Sequence, residues 1–134
     1  QIIMKGRKSP DEVKKQFGEY LDRVIYMPVV DLDEKSASVK IDDFVHSLHP
    51  VAFELLFAKS NSQVPQQMKQ KLAGKSLIWY NTLWDSLVGG RDDDMALEDP
   101  DNAYGYLIKQ LGARIIQTDR PEMLLDYLKR NGWK

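Results

Sequence analysis

The sequence predicts an α/β fold in which five strands and five helices alternate within one domain, residues 1–134. Apolar runs of strand length recur along the chain, each run is followed by an amphipathic helical pattern, and Gly, Pro, Ser or Asp marks the boundaries. Continuous apolar strands separated by such helices are typical of a parallel sheet covered by helices. Five consecutive βα units suit a partial TIM-type (β/α)8 barrel, and they also suit an open doubly wound sheet of flavodoxin-like type.

The first unit shows the boundary signals most clearly. An apolar run from Ile2 to Lys5 predicts a strand, which Gly6 ends. Ser9 is then placed to cap a helix, with Pro10 at its first position and Glu12 completing a capping box.

The other elements follow from the same signals. We predict strands at 24–30, 51–57, 76–82 and 114–118, and helices at 41–48, 64–73, 101–111 and from 119 onward. Pro28 lacks a backbone donor, so we expect the second strand to fray beyond it. Asp101 and Asp119 are predicted N-caps, because Asp is favoured at that position. Three adjacent acids, Asp92 to Asp94, lack the ligand spacing of a calcium loop and favour a solvated or capping role.

Composition excludes several classes of protein. The formal net charge is −1, from 19 basic and 20 acidic side chains, which argues against a nucleic-acid-binding protein. The absence of cysteine excludes disulfides, Cys-ligated zinc and thiol catalysis. No apolar stretch approaches the ~20 residues that a transmembrane helix needs. Because the chain begins at Gln1 rather than Met, we expect it to be a portion of a longer polypeptide.

Two C-terminal segments carry a resemblance to a known family. Residues 112–122 read Gly-Ala-Arg-Ile-Ile-Gln-Thr-Asp-Arg-Pro-Glu, and residues 78–84 read Ile-Trp-Tyr-Asn-Thr-Leu-Trp ahead of an acidic loop. In this order they resemble the last two βα units of the glycerophosphodiester phosphodiesterases. A fainter likeness reaches back to Met4-Lys5-Gly6. The resemblance implies that this chain is the C-terminal part of such an enzyme, strands four to eight of its barrel.

The resemblance also implies an activity in lipid metabolism. Such enzymes hydrolyse glycerophosphodiesters to glycerol 3-phosphate and an alcohol, using Ca²⁺ or Mg²⁺ and two histidines. The family's His-Arg-Gly and Glu-x-Asp motifs do not occur here, so no catalytic residue is assigned and the isolated chain is expected to be inactive. The acid-base histidines are expected in the missing part, and the divalent metal in the complete enzyme. His46 and His49 fall at the end of the second helix and are predicted to be surface residues. The family resemblance favours a periplasmic or secreted location.

Four residues are predicted to belong to the site, at the C-terminal ends of strands where barrel active sites lie. Lys5 is assigned to phosphate, with a solvated lysine as the alternative. Glu54 is assigned to metal or a substrate hydroxyl, because a carboxylate in an otherwise apolar strand is costly to bury without a partner; a structural ion pair is the alternative. Ile3 stands where the family often has a metal-binding Glu, which leaves Glu54 as the remaining acidic candidate. Asn81 and Trp84 are assigned to the glycerol or alcohol group, or Trp84 to anchoring its loop.

An open five-stranded sheet also predicts a partner. Five of eight strands cannot close a barrel, and the edge strands would expose backbone groups. We expect the cover to be the missing N-terminal barrel segment or a second copy of the chain, with local rearrangement into an open doubly wound sheet as a third alternative. The ligand is expected to be a small glycerophosphodiester. The alternative function is a catalytically silent α/β half-barrel that binds or self-assembles.

Overall fold

The computed structural model describes residues 2–133 as alternating strands and helices. The strands are β1 (Ile2–Gly6), β2 (Val24–Asp31), β3 (Ala52–Leu56), β4 (Leu77–Asn81) and β5 (Ala113–Gln117). The helices are α1 (Pro10–Phe17), α2 (Ala37–Ser47), α3 (Val64–Leu72), α4 (Asp93–Glu98), α5 (Tyr106–Lys109) and α6 (Pro121–Arg130). Short 3-10 turns lie at Gly18–Tyr20 and Asp85–Leu87, and a π-helical turn at Asp101–Gly105 precedes α5. Within residues 2–133, no helix has the length and apolar character to cross a bilayer.

All five strands are parallel, and their order in the sheet follows their order in the chain, β1-β2-β3-β4-β5. Each crossover therefore advances the sheet by one strand in the same direction. Since such crossovers are right-handed in nearly all proteins, the helices fall on one face of the sheet. The predicted α/β class, with alternating βα units and a parallel sheet, is confirmed.

The main hydrophobic core lies between the strands and these helices. Alternate strand residues supply it from the sheet, among them Tyr26, Val30, Phe53, Leu55, Ile78, Tyr80 and Ala113. Val13 of α1, Ile41 and Phe44 of α2 and Leu72 of α3 supply it from the helices. The intervening strand residues point the other way, because side chains along a strand alternate between faces. We call this other side the open face; it carries Lys5, Glu54, Trp79, Asn81 and Gln117.

The sheet curves toward the open face. β1 and β5 are its two edges, separated by four strand spacings, which is about 19 Å in a flat sheet. Nevertheless, the Lys5 Nζ of β1 donates a 3.0 Å hydrogen bond to the Gln117 Oε1 of β5. Two such side chains cannot bridge a flat five-stranded sheet, so the edges must bend toward each other across the open face.

Local signals in the first unit are confirmed. Ser9 caps α1, with its hydroxyl accepting from the Glu12 N–H, while the Glu12 carboxylate accepts from the Ser9 N–H. The hydrogen bond from the Ser9 N–H to the carboxylate is the main cause that lowers the pKa of Glu12, and the Ser9 hydroxyl lowers it further. Gly6 lies so close to Tyr26 that an added Cβ would stand 2.5 Å from the Tyr26 hydroxyl.

The expectation for Pro28 is wrong, because β2 continues through it to Asp31. The ladder with β1 ends at the pair Gly6–Pro28, and the ladder with β3 begins one residue later, at Val29–Glu54. Pro28 thus stands where β2 passes from one partner to the other. At that position the absence of a backbone N–H on Pro28 destabilises the sheet little, because one ladder ends there and the next has not begun.

The expectation that Asp101 caps a helix is also wrong. Asp101 is the first residue of the π-helical turn, which follows Pro100 and has no side-chain cap. Its carboxylate instead accepts a 2.6 Å hydrogen bond from the Tyr127 hydroxyl of α6. The side chain therefore ties the turn to the last helix.

Candidate functional site

The open face gathers polar side chains around Lys5. Its Nζ lies 2.7 Å from the Glu54 Oε2, 3.0 Å from the Gln117 Oε1, and 5.3 Å from the centre of the Trp79 ring. The cation thus contacts groups from three other strands. The ammonium carries three N–H donors, and its one aligned hydrogen bond among the described residues goes to Gln117, so N–H donors remain for a ligand.

Glu54 carries a carboxylate and is nevertheless only 3% exposed, because it lies in the most buried strand of the sheet. A buried charge is costly unless it is paired. Lys5 supplies the opposite charge: its Nζ and the Glu54 Oε2 form an ion pair, although their geometry is not that of a hydrogen bond. The Asn81 Nδ2 donates to the other carboxylate oxygen over 3.4 Å.

Strand register explains why these residues meet. Glu54 is paired with Trp79 between β3 and β4, and Asn81 is paired with Gln117 between β4 and β5. Asn81 and Gln117 are the last residues of their strands, and Lys5 is the last but one of its own. Parallel strands bring these ends to one rim of the sheet, where binding sites of α/β proteins usually lie.

Three of the four residues predicted from sequence share this cluster: Lys5, Glu54 and Asn81. Glu54 takes the ion-pair geometry that was its alternative assignment, with Lys5 as the partner. The fourth, Trp84, lies on the loop after β4 and is 63% exposed. Because its indole is so exposed, Trp84 contributes little to holding the loop in place. Its assignment to the alcohol group stays a prediction.

Trp79 and Gln117 are cluster members that the sequence analysis missed. Trp79 lies two residues before Asn81, so strand alternation alone places both on one face. Gln117 is a polar residue at the end of a strand that also contains Arg114, which is a weaker signal. Its contact with Lys5 depends on the curvature of the whole sheet.

The chemistry of the cluster is that of a donor-rich site. Lys5, Asn81 and Gln117 offer N–H groups, and the buried Nε1–H of Trp79 has no partner among the described residues. The carboxylate of Glu54 is engaged by Lys5 and Asn81. Such a set favours an acceptor-rich ligand, such as a phosphate ester.

Across residues 2–133, no group of three His, Asp or Glu side chains is placed to hold a metal ion. His46 and His49 lie exposed at the end of α2, as predicted, and the His46 Nδ1 contacts the Asp42 carbonyl oxygen at 2.7 Å.

A second polar cluster lies behind the strand ends, around Asp93. Its Oδ1 accepts 2.7 Å hydrogen bonds from the hydroxyls of Thr82, Tyr104 and Thr118. Its Oδ2 accepts a 2.9 Å bond from the Asp119 N–H. Burial alone would raise the pKa of Asp93, but these four donors together hold it below its ordinary value.

The rest of the acidic loop plays structural parts. Asp92 caps α4 by accepting from the Met95 N–H, which matches the capping alternative. Asp94 lies 3.7 Å from Arg120 in an exposed ion pair. The prediction that Asp119 caps α6 is wrong: Arg120 holds the cap position, and the Asp119 N–H is bound to Asp93. The Thr118 hydroxyl accepts from the Arg120 N–H instead.

Comparison with known proteins gives a family without an assigned activity. The model of the family DUF4996, described as a domain of unknown function, matches residues 26–128, more than half of the chain. The matched range includes every member of the open-face cluster except Lys5. No curated protein gives a significant match to this sequence.

Proposed function

The chain belongs to the DUF4996 family, a domain of unknown function, and on that premise we propose a function from its open face. The chain is the C-terminal part of a metal-dependent glycerophosphodiester phosphodiesterase, which hydrolyses glycerophosphodiesters to glycerol 3-phosphate and an alcohol. The observation that carries the proposal is the Lys5–Glu54 pair at the C-terminal strand ends, with Trp79, Asn81 and Gln117 around it.

The cluster suits the shared part of these substrates. Lys5 offers its remaining N–H donors and its charge to a phosphate oxygen. The amides of Asn81 and Gln117 suit glycerol hydroxyls, because an amide both donates and accepts. The Trp79 ring forms an apolar wall beside Lys5. Glu54 holds the Lys5 ammonium in place.

Two features of the sheet support a partial barrel. Its strand order is sequential, whereas a doubly wound sheet reverses order at a switch point. Its edges also bend toward each other, as the Lys5–Gln117 contact requires. A (β/α)8 barrel would need three more strands, and the proposal places the His-Arg-Gly and Glu-x-Asp motifs on them.

Calcium or magnesium chemistry is not assigned to this chain. Glu54 is its best-placed carboxylate on the open face, and a metal ion there would have to displace Lys5. The proposal therefore places the metal ligands and both acid-base histidines on the complementary segment. This chain's own residues bind and orient the glycerol phosphate group.

We predict no hydrolysis of glycerophosphocholine by the isolated chain, with either Ca²⁺ or Mg²⁺, because it lacks both catalytic motifs. Choline release measured against a protein-free blank checks this. Release above the blank would refute the proposal that the catalytic groups lie on the complementary segment.

The positive test uses the polypeptide encoded with the region upstream of Gln1. It should contain His-Arg-Gly and hydrolyse glycerophosphocholine, and Lys5→Met should lower kcat/KM by on the order of a hundredfold. Lys71→Met is the matched control, because Lys71 pairs with Asp42 between α3 and α2. An upstream region without that motif, or an unchanged rate in Lys5→Met, would contradict the proposal.

A second candidate, self-assembly, is favoured by the apolar side chains left on the open face. Ile3 is 51% exposed and Leu77 is 42% exposed, and both edge strands lack a neighbour on one side within residues 2–133. Such edges and patches favour pairing with another chain.

We accordingly predict that the isolated chain self-associates. Size-exclusion chromatography with light scattering should show a mass above 15.5 kDa that rises with concentration. Lys5→Met should preserve this association, and adding a charge with Leu77→Lys should weaken it. A monomer at every concentration would exclude self-assembly.

A further inference from the structure

We propose that Asp93 is a positioning residue for the open face, setting the placement of Asn81 and Gln117 from behind the sheet. The inference rests on the proposed function for its ligand, glycerol 3-phosphate. Its geometric part stands on the contacts alone.

The hydrogen bonds of Asp93 join the ends of two neighbouring strands. Thr82 directly follows Asn81, and Thr118 directly follows Gln117, and both hydroxyls donate to the same Oδ1 at 2.7 Å. The Thr82 N–H donates to the Gln117 carbonyl oxygen over 2.9 Å, and the Thr82 hydroxyl oxygen lies 2.9 Å from the same carbonyl oxygen. The Asp93 N–H closes the loop by donating to the Thr82 carbonyl oxygen over 2.8 Å.

Because side chains alternate along a strand, the hydrogen bonds to Asp93 behind the sheet also set the placement of side chains on the open face. Thr82 and Thr118 point toward Asp93, so Asn81 and Gln117, one residue earlier, point to the open face. These two residues are also register partners. One carboxylate behind the sheet thus fixes the spacing of the two amides that face the ligand.

Helix capping does not account for this arrangement. Asp92 already caps α4, so the cap does not need Asp93. Asp93 is 6% exposed and accepts from four donors in three regions: the end of β4, the π-helical turn, and the segment after β5. An asparagine would offer one acceptor oxygen, and its NH2 group would face a donor.

The test compares two disruptive variants with two controls. Asp93→Asn and Thr118→Val each remove hydrogen bonds of the Asp93 network, whereas Thr118→Ser keeps the hydroxyl. Tyr127→Phe removes a partly buried hydroxyl bond to Asp101 that does not involve the strand ends. Side-chain amide resonances of Asn81 and Gln117 are measured by NMR without ligand. We expect shifts in both disruptive variants, and wild-type positions in Thr118→Ser and Tyr127→Phe. Unchanged amide resonances in Asp93→Asn and Thr118→Val would overturn the inference.

Titration with glycerol 3-phosphate provides the second readout. Affinity should fall by on the order of tenfold in Asp93→Asn and Thr118→Val, and stay within about twofold in both controls. Equal affinity in all four variants would contradict a positioning role. If the wild-type chain binds no glycerol 3-phosphate, the proposed function fails, and the ligand-free amide resonances still decide whether Asp93 positions the two residues.

Discussion

Replacing Asp93 with alanine is expected to lower the free energy of unfolding by about 4 kcal/mol. The change leaves the hydroxyls of Thr82, Tyr104 and Thr118 and the Asp119 N–H without their acceptor. Each hydrogen bond to a charged group contributes about 1.5–3 kcal/mol, and bonds that share one acceptor do not add fully. Urea denaturation at pH 7 measures the loss.

Asp94→Ala is the matched control for this prediction. Asp94 neighbours Asp93 in the same helix, and its carboxylate makes an exposed ion pair with Arg120 at 3.7 Å. We expect a change within about 0.5 kcal/mol, as for other exposed pairs. Similar losses for the two alanine variants would contradict the network described around Asp93.

The same carboxylate makes stability depend on pH. The folded-state pKa of Asp93 lies below its ordinary value of 3.8, so the unfolded chain takes up a proton first as the pH falls. The stabilisation is fully present above about pH 5 and is lost as the pH falls through the lower folded-state pKa. The stability gap between wild type and Asp93→Asn should therefore narrow between about pH 5 and pH 3. A gap that stays constant would show that Asp93 does not carry this charge in the folded protein.

Lys5→Met should destabilise the chain by about 2 kcal/mol, because it leaves the buried Glu54 carboxylate without its cation. The value is below that of a fully buried pair, since the Lys5 side chain is 36% exposed. Thermal or urea unfolding of the variant measures the loss.

A double variant separates the charge from the packing. Lys5→Met combined with Glu54→Gln removes both charges and should recover most of the lost stability. Lys71→Met breaks an exposed pair with Asp42 and should cost less than about 1 kcal/mol. If the double variant were less stable than Lys5→Met alone, the ion pair would not be the cause.

Much of the fold can be predicted from local signals in the sequence. The Ser9-Pro10 start of α1 and the apolar strands fix the βα alternation, and parallel strands then bring Lys5, Glu54 and Asn81 to one rim. Glu54 was identified because a carboxylate in an apolar strand is unusual. These inferences need only short-range pattern and the general rule for strand ends.

The contacts that could not be predicted from the sequence depend on the register and curvature of the sheet. Lys5 meets Gln117 across the entire sheet, a separation of 112 residues that no local pattern encodes. Asp93 looked like one of three solvated acids, because its donors come from distant segments. Asp119 is predicted to be an N-cap because Asp is common at that position, but its N–H donates to the Asp93 carboxylate instead.

Binding of glycerol 3-phosphate to the isolated chain tests most directly whether the open face recognises the glycerol phosphate group. Titration followed by NMR should show saturable binding, with a dissociation constant roughly in the millimolar range, and should perturb the Trp79 indole and the Asn81 and Gln117 amides. The same titration of Lys5→Met should show no saturation, whereas Lys71→Met should bind as the wild type does. Absence of binding to the wild type, or equal binding by Lys5→Met, would contradict a glycerol phosphate site on this face.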